Sequence, residues 1–147
     1  MNATQLFRRP ILAITAFACV ALSGTVLAEE MKVMLSGDME VPPVATTASG
    51  NGSIAVNPDM SVSGSIATAG LMATAAHIHV GKTGANGPVA VGLTKDGDNG
   101  WKVPDGAKLD ATQFQAYKDG ALYVNVHSAA HKGGEIRGQL MPAMGGK

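Results

Sequence analysis

An all-β fold, an antiparallel sandwich or flattened Greek-key barrel with one short crossover helix, is the prediction this sequence makes. Three observations support it: short runs of apolar residues with period two, Gly, Pro, Asn and Asp between the runs, and a single stretch with helix punctuation. Residues 31–35 read as the first strand. Residues 53–57 and 60–68 read as a hairpin around Asn57-Pro58-Asp59, with Ile54 and Val56 alternating against Ser53 and Ala55. Strands at 75–80, 89–93, 121–128 and 135–141 bring the expected total to roughly seven or eight. The helix is 110–118: Asp110 takes the N-cap with Gln113 three residues on, Phe114 and Tyr117 share a face, and Gly120 ends it. The segments 81–88 and 94–106 read as long polar connections, and 144–147 as a frayed tail. Glu40-Val41-Pro42-Pro43-Val44 is stiffened by its prolines and is expected to cover a sheet edge or seal a barrel end.

The N-terminus has a different character. Arg8 and Arg9 precede an apolar run from Ile11 to Leu27, and Val26-Leu27-Ala28 offers small residues before Glu29 and Glu30. A short basic segment, an apolar stretch too short for a membrane span and a small-residue exit describe a secretory signal peptide over 1–28. Residues 29–147 then form one domain of a periplasmic or secreted protein, with no membrane partner after cleavage. The adjacent arginines also echo a twin-arginine export signal. Cys19, the only cysteine, falls inside the apolar run, so the mature chain has neither thiolate nor disulfide. Any metal must use imidazole, oxygen or thioether.

Removing Arg8 and Arg9 from eleven Lys and Arg leaves nine, against eleven Asp and Glu, for a net charge of −2. With only four aromatics (Trp101, Phe114, Tyr117 and Tyr123) and no basic stripe, the chain lacks what a nucleic-acid binder needs.

The chemistry concentrates in the four histidines. His77 and His79 are i and i+2 within an apolar run, so strand alternation sends both imidazoles to one face while Ala76, Ile78 and Val80 take the other. In 121–128, Leu122, Val124 and Val126 face inward, leaving Tyr123, Asn125 and His127 outward. In the last strand Ile136 and Leu140 face inward, leaving Glu135, Arg137 and Gln139 outward. Three outward imidazoles brought together favour a single transition metal, copper, zinc, iron or nickel, over a hard cation, and leave a coordination position for water or substrate. His131 is expected as a fourth nitrogen if the loop after His127 folds back. Arg137, the only arginine of the mature chain, is expected at the outer surface, where it would draw an anion toward the metal. Glu40 is a less favoured ligand or supporting partner. The scattered methionines read as core filling rather than thioether ligands.

The chain resembles the CHRD domain, first described in chordin and common in bacterial secreted proteins. The residues that carry the likeness are Leu35-Ser36-Gly37, Glu40-Val41-Pro42-Pro43-Val44, Ala76-His77-Ile78-His79 with Gly81 and Gly87-Pro88-Val89, Leu122-Tyr123-Val124-Asn125-Val126-His127, and Gly134-Glu135-Ile136-Arg137-Gly138-Gln139-Leu140. They run in order through nearly all of residues 29–147. A second resemblance is to copper/zinc superoxide dismutases: His77-Ile78-His79 is similar to their copper-binding strand, Val126-His127 to a later ligand strand, and Ile136-Arg137-Gly138 to the strand of the active-site arginine. It implies a superoxide-dismutase-like sandwich with copper on its outside, His77, His79 and His127 as ligands, and superoxide or another small anion as partner. The bridging histidine, the zinc-loop ligands and the disulfide cysteines have no counterpart, so the implied centre holds a single metal. Three readings follow: a superoxide-dismuting oxidoreductase, a copper carrier or buffer with the same ligands, and an extracellular interaction module without metal chemistry.

Overall fold

The computed structural model describes residues 29–142. The expected signal peptide at 1–28 and the tail at 144–147 lie outside that range. Among the described residues the strands are β1 (Glu29–Ser36), β2 (Ser49–Val56), β3 (Val62–Ala69), β4 (Ala73–Val80), β5 (Val89–Gly92), β6 (Thr94–Asp96), β7 (Gly100–Lys102), β8 (Leu122–Ser128) and β9 (Ile136–Leu140), with a single α-helix, α1 (Ala111–Lys118). The nine strands form one sheet in the order β5-β4-β8-β9-β1-β2-β3-β7-β6, and every pairing is antiparallel.

The sheet curls until its edges nearly meet. β5 ends at Gly92 and β6 starts at Thr94, so one residue, Leu93, links the two edge strands. The Leu93 N–H donates to the Ala76 carbonyl (2.9 Å), and the Lys95 ammonium donates to the Ala73 carbonyl (3.3 Å). The result is a nearly closed antiparallel barrel, and the all-β expectation holds.

Alternation fills the interior. Met31, Val33 and Leu35 of β1, Ile54 and Val56 of β2, Ala76 and Ile78 of β4, Leu122, Val124 and Val126 of β8, and Ile136 and Leu140 of β9 are all buried in one core. The helix is where the sequence places it. The Asp110 carboxylate accepts from the Gln113 N–H (2.8 Å) while the Gln113 side chain accepts from the Asp110 N–H (2.9 Å), a reciprocal cap that satisfies two donors at the first turn. Gly120, at φ 65°, turns the chain out of the helix.

Three expectations need correction. The polar segment 94–106 contains β6 and β7, which raises the strand count to nine; Thr94, Lys95 and Asp96 are all exposed, so no alternation marks them. β2 begins at Ser49 rather than at 53, because Ser49-Gly50-Asn51-Gly52 contains no apolar residue to reveal the pairing. Finally, the Pro-rich segment does not cover an edge strand. It lies over the outer face of β8 and β9, where Glu40 is buried beside Asn125 and Gly134 and the Asn86 amide donates to the Val41 carbonyl (2.7 Å).

Candidate metal centre

β4 and β8 run side by side, with His77 opposite Asn125, His79 opposite Tyr123, and Ala75 opposite His127. This register sets His127 diagonally next to His77 on the face both share with His79. His77, His79 and His127 each offer one ring nitrogen to a group whose atoms lie within 4.8 Å of one another. Among the described residues this is the set able to hold a metal ion, and His131 is not in it. Its loop does fold back, but through the backbone: the Ser128 N–H donates to the His131 carbonyl (3.3 Å), and the His131 N–H donates to the Ser128 hydroxyl (3.2 Å).

Backbone carbonyls orient two of the three rings. His79 Nδ1 is 2.9 Å from the Gly87 carbonyl, and His127 Nδ1 is 2.9 Å from the Lys132 carbonyl. A carbonyl only accepts, so Nδ1 carries the proton in both rings and Nε2 keeps its lone pair. His79 Nε2 is buried, and the Asn125 side chain lies beside the ring. His77 Nδ1 and His127 Nε2 face each other at 2.9 Å. Two nitrogens bound about 2.0 Å from one ion at right-angled to tetrahedral angles are about 2.8 to 3.3 Å apart, so this separation suits a shared cation as well as a shared proton. Burial depresses the pKa values of His77 and His79, with the neighbouring imidazoles adding to the effect at His77, which keeps these rings neutral and able to donate. The donor set is all imidazole, with neither carboxylate nor thiolate, which fits copper, zinc, iron or nickel and not a hard cation.

Arg137 does share this face, but the expectation that it opens to solvent is wrong. It is 1% exposed. Its guanidinium donates to the carbonyls of Lys82 (3.0 Å) and Ala85 (2.9 Å) and to the Asn86 side chain (3.2 Å), and lies 3.4 Å from the centroid of the Tyr123 ring. Tyr123 in turn stacks on His79 with centroids 5.0 Å apart and planes within 10°. Arg137 thus pins the 81–88 loop and backs the His79 ring through an aromatic intermediary. The physical reason is coverage: the loop and the 37–48 segment lie over the outer face that alternation alone assigns to solvent.

Glu40 takes no place among the ligands either. Burial raises its carboxyl pKa against the pull of Arg137 and of hydrogen bonds from the Val41 backbone and the Asn125 side chain, and Asn125 in turn lies beside His79. The contributions missing from the sequence reading are the Gly87 and Lys132 carbonyls, which orient the rings. A carbonyl has no letter of its own, and the only hint of these turns was the glycines at Gly87, Gly133 and Gly134.

Fold and site together define a nearly closed β-barrel module with a histidine triad on its outer sheet face. The chain belongs to the CHRD domain family, which matches residues 31–140. CHRD domains are typically extracellular or periplasmic modules. No curated protein and no solved structure matches the chain. Among the described residues, no helix is long and apolar enough to cross a membrane.

Proposed function

We propose that this CHRD protein works in the periplasm or outside the cell as a mononuclear metal protein, with His77, His79 and His127 holding one transition metal, copper favoured, in a centre that dismutes superoxide. The observation that carries the reading is the convergence of three ring nitrogens within 4.8 Å, two of them already oriented by backbone carbonyls. Preorganised ligands lose little freedom on binding, and imidazoles favour copper in the usual order of divalent affinities.

The chain's own residues would do four things. Gly87 and Lys132 present the lone pairs of His79 and His127 to the metal. Tyr123, backed by Arg137, keeps the His79 ring from rotating. The 81–88 loop, held by Arg137, keeps water from one side of the site. On the other side His77 and His127 border a hollow open to solvent, through which a small anion reaches the centre. Copper held by His77, His79 and His127 would supply the one-electron redox chemistry that dismutation of superoxide requires.

Titration calorimetry and electron paramagnetic resonance of the mature protein test the site. The parent is expected to bind one copper with nitrogen couplings, and each of His77→Ala, His79→Ala and His127→Ala to weaken binding by more than about 100-fold with the β-sheet spectrum unchanged. A triple variant that binds copper as tightly as the parent refutes the assignment. If the loaded parent dismutes superoxide no faster than chelated copper, the protein is a carrier and not an enzyme.

A further inference from the structure

With Arg137 enclosed, the positive charge nearest the open side of the histidine site belongs to a different residue. A surface hollow of about 430 Å³ lies beside His77 and His127, lined also by Thr74, Ala75, Ser128, Ala129 and Lys132. Thr74, Ala129 and Lys132 are exposed, so the hollow opens to solvent. Among the described residues, none of those lining it is acidic. The nearest carboxylate tied to it, Glu135, is buried and engaged by the Thr46 hydroxyl at 2.8 Å and by the Ser128 hydroxyl. A second cation, Lys95, sits on the carbonyl of Ala73, next in the chain to Thr74 at the rim.

We propose that this hollow is a binding site for small monoanions, with Lys132 as its attracting charge. The proposal rests on the metal reading above and goes beyond it by locating the anion and naming the residue that recruits it. One ammonium against walls of Ala75 and Ala129 suits a lightly hydrated monoanion such as superoxide or azide. Phosphate and sulfate need several donors, and two of the available ones are taken: Thr74 donates to the His127 carbonyl (3.3 Å), and Ser128 is shared between His131 and Glu135. Lys132 has two separable parts. Its carbonyl orients His127, whereas its side chain belongs to an exposed residue at the hollow, so a side-chain replacement keeps the carbonyl that His127 uses.

The experiment uses azide as probe, titrated into the copper-loaded mature protein and followed by its optical and paramagnetic spectra. Azide affinity of the parent should fall with added salt, because attraction to an exposed charge is screened over about 8 Å at physiological ionic strength. Lys132→Gln should weaken azide binding roughly threefold and flatten the salt dependence, and Lys132→Glu should weaken it roughly tenfold, each measured on protein verified to carry one copper per chain. Lys32→Gln, an exposed lysine on β1 that does not line the hollow, should change neither. Equal azide affinities and salt responses in the parent and both Lys132 variants overturn the proposal. A parent that binds copper but not azide overturns it while leaving the metal reading intact, and a parent that binds no copper overturns both.

Discussion

The barrel has two outer faces built from the same kind of strand, and they end in opposite environments. On β1 the alternation is complete: Met31, Val33 and Leu35 are buried, while Lys32 and Met34 stand in solvent, Met34 at 84% exposure. On β8 and β9 the inward residues are just as buried, but so are the outward ones, including Tyr123, Asn125 and Arg137. The difference is the covering layer formed by 37–48 and 81–88. A period-two pattern identifies the residues that face the core and says nothing about what lies over the other side. The polar residues of the covered face are therefore spent on holding rings and loops, whereas those of the open face are simply hydrated.

The largest expected effect that can break this contrast is at Arg137. Arg137→Ala removes the donors to Lys82, Ala85 and Asn86 and leaves a hole against Tyr123, and is expected to cost about 3 kcal/mol or more in urea unfolding. Lys32→Ala, also outward on its strand, should stay within about 0.5 kcal/mol. Equal effects would mean that the covering layer is not part of the stable structure.

The contrast also explains which parts were legible in the sequence. The core, the β2–β3 hairpin and α1 follow from alternation and from the Asp110–Gln113 cap, both of which are local. His77, His79 and His127 were legible because all three sit on outward strand positions, and a histidine on a strand shows its facing in its spacing. The enclosure of Arg137 and the depth of Glu40 were not. Both depend on where two loops come to rest across the sheet, contacts separated by 51 residues in the case of Arg137 and Asn86. β6 and β7 escaped for a different reason: strands of three residues are too short to display a period.

A second test compares two glycines. Gly134 holds φ at 131°, and a Cβ there would collide with Glu40 Oε1 and lie 2.5 Å from Asn125 Nδ2. Gly134→Ala is therefore expected to cost about 2 kcal/mol by forcing both backbone strain and displacement of Glu40 and Asn125. Gly92, on the exposed edge strand β5, has open space around its missing Cβ and a φ outside the left-handed region. Gly92→Ala should be neutral or stabilising by up to about 1 kcal/mol, through the smaller entropy of its unfolded chain. Gly134→Ala should thus lower the melting temperature, whereas Gly92→Ala should leave it unchanged or raise it.

The smallest effect separates two carboxylates, each of which accepts a hydrogen bond from a hydroxyl. Ser53 donates to Glu30 on the open face, and Thr46 donates to Glu135 under the covering layer. The Ser128 and Thr46 hydroxyls hold the Glu135 carboxyl below its ordinary value of 4.5, outweighing the opposing effect of burial. A carboxyl with a depressed folded-state pKa binds its proton more weakly folded than unfolded. Its stabilisation is complete above pH 4.5 and is lost as pH falls through the folded-state value. Glu135→Gln should accordingly cost roughly 1 kcal/mol at pH 7, with the gap to the parent closing on acidification below 4.5. Glu30→Gln should change stability by less than about 0.5 kcal/mol at pH 7. Urea midpoints measured from pH 7 to pH 3 decide the matter: a Glu135→Gln gap that stays constant with pH would mean that its carboxylate is solvated like that of Glu30, and that the cover over β9 is open.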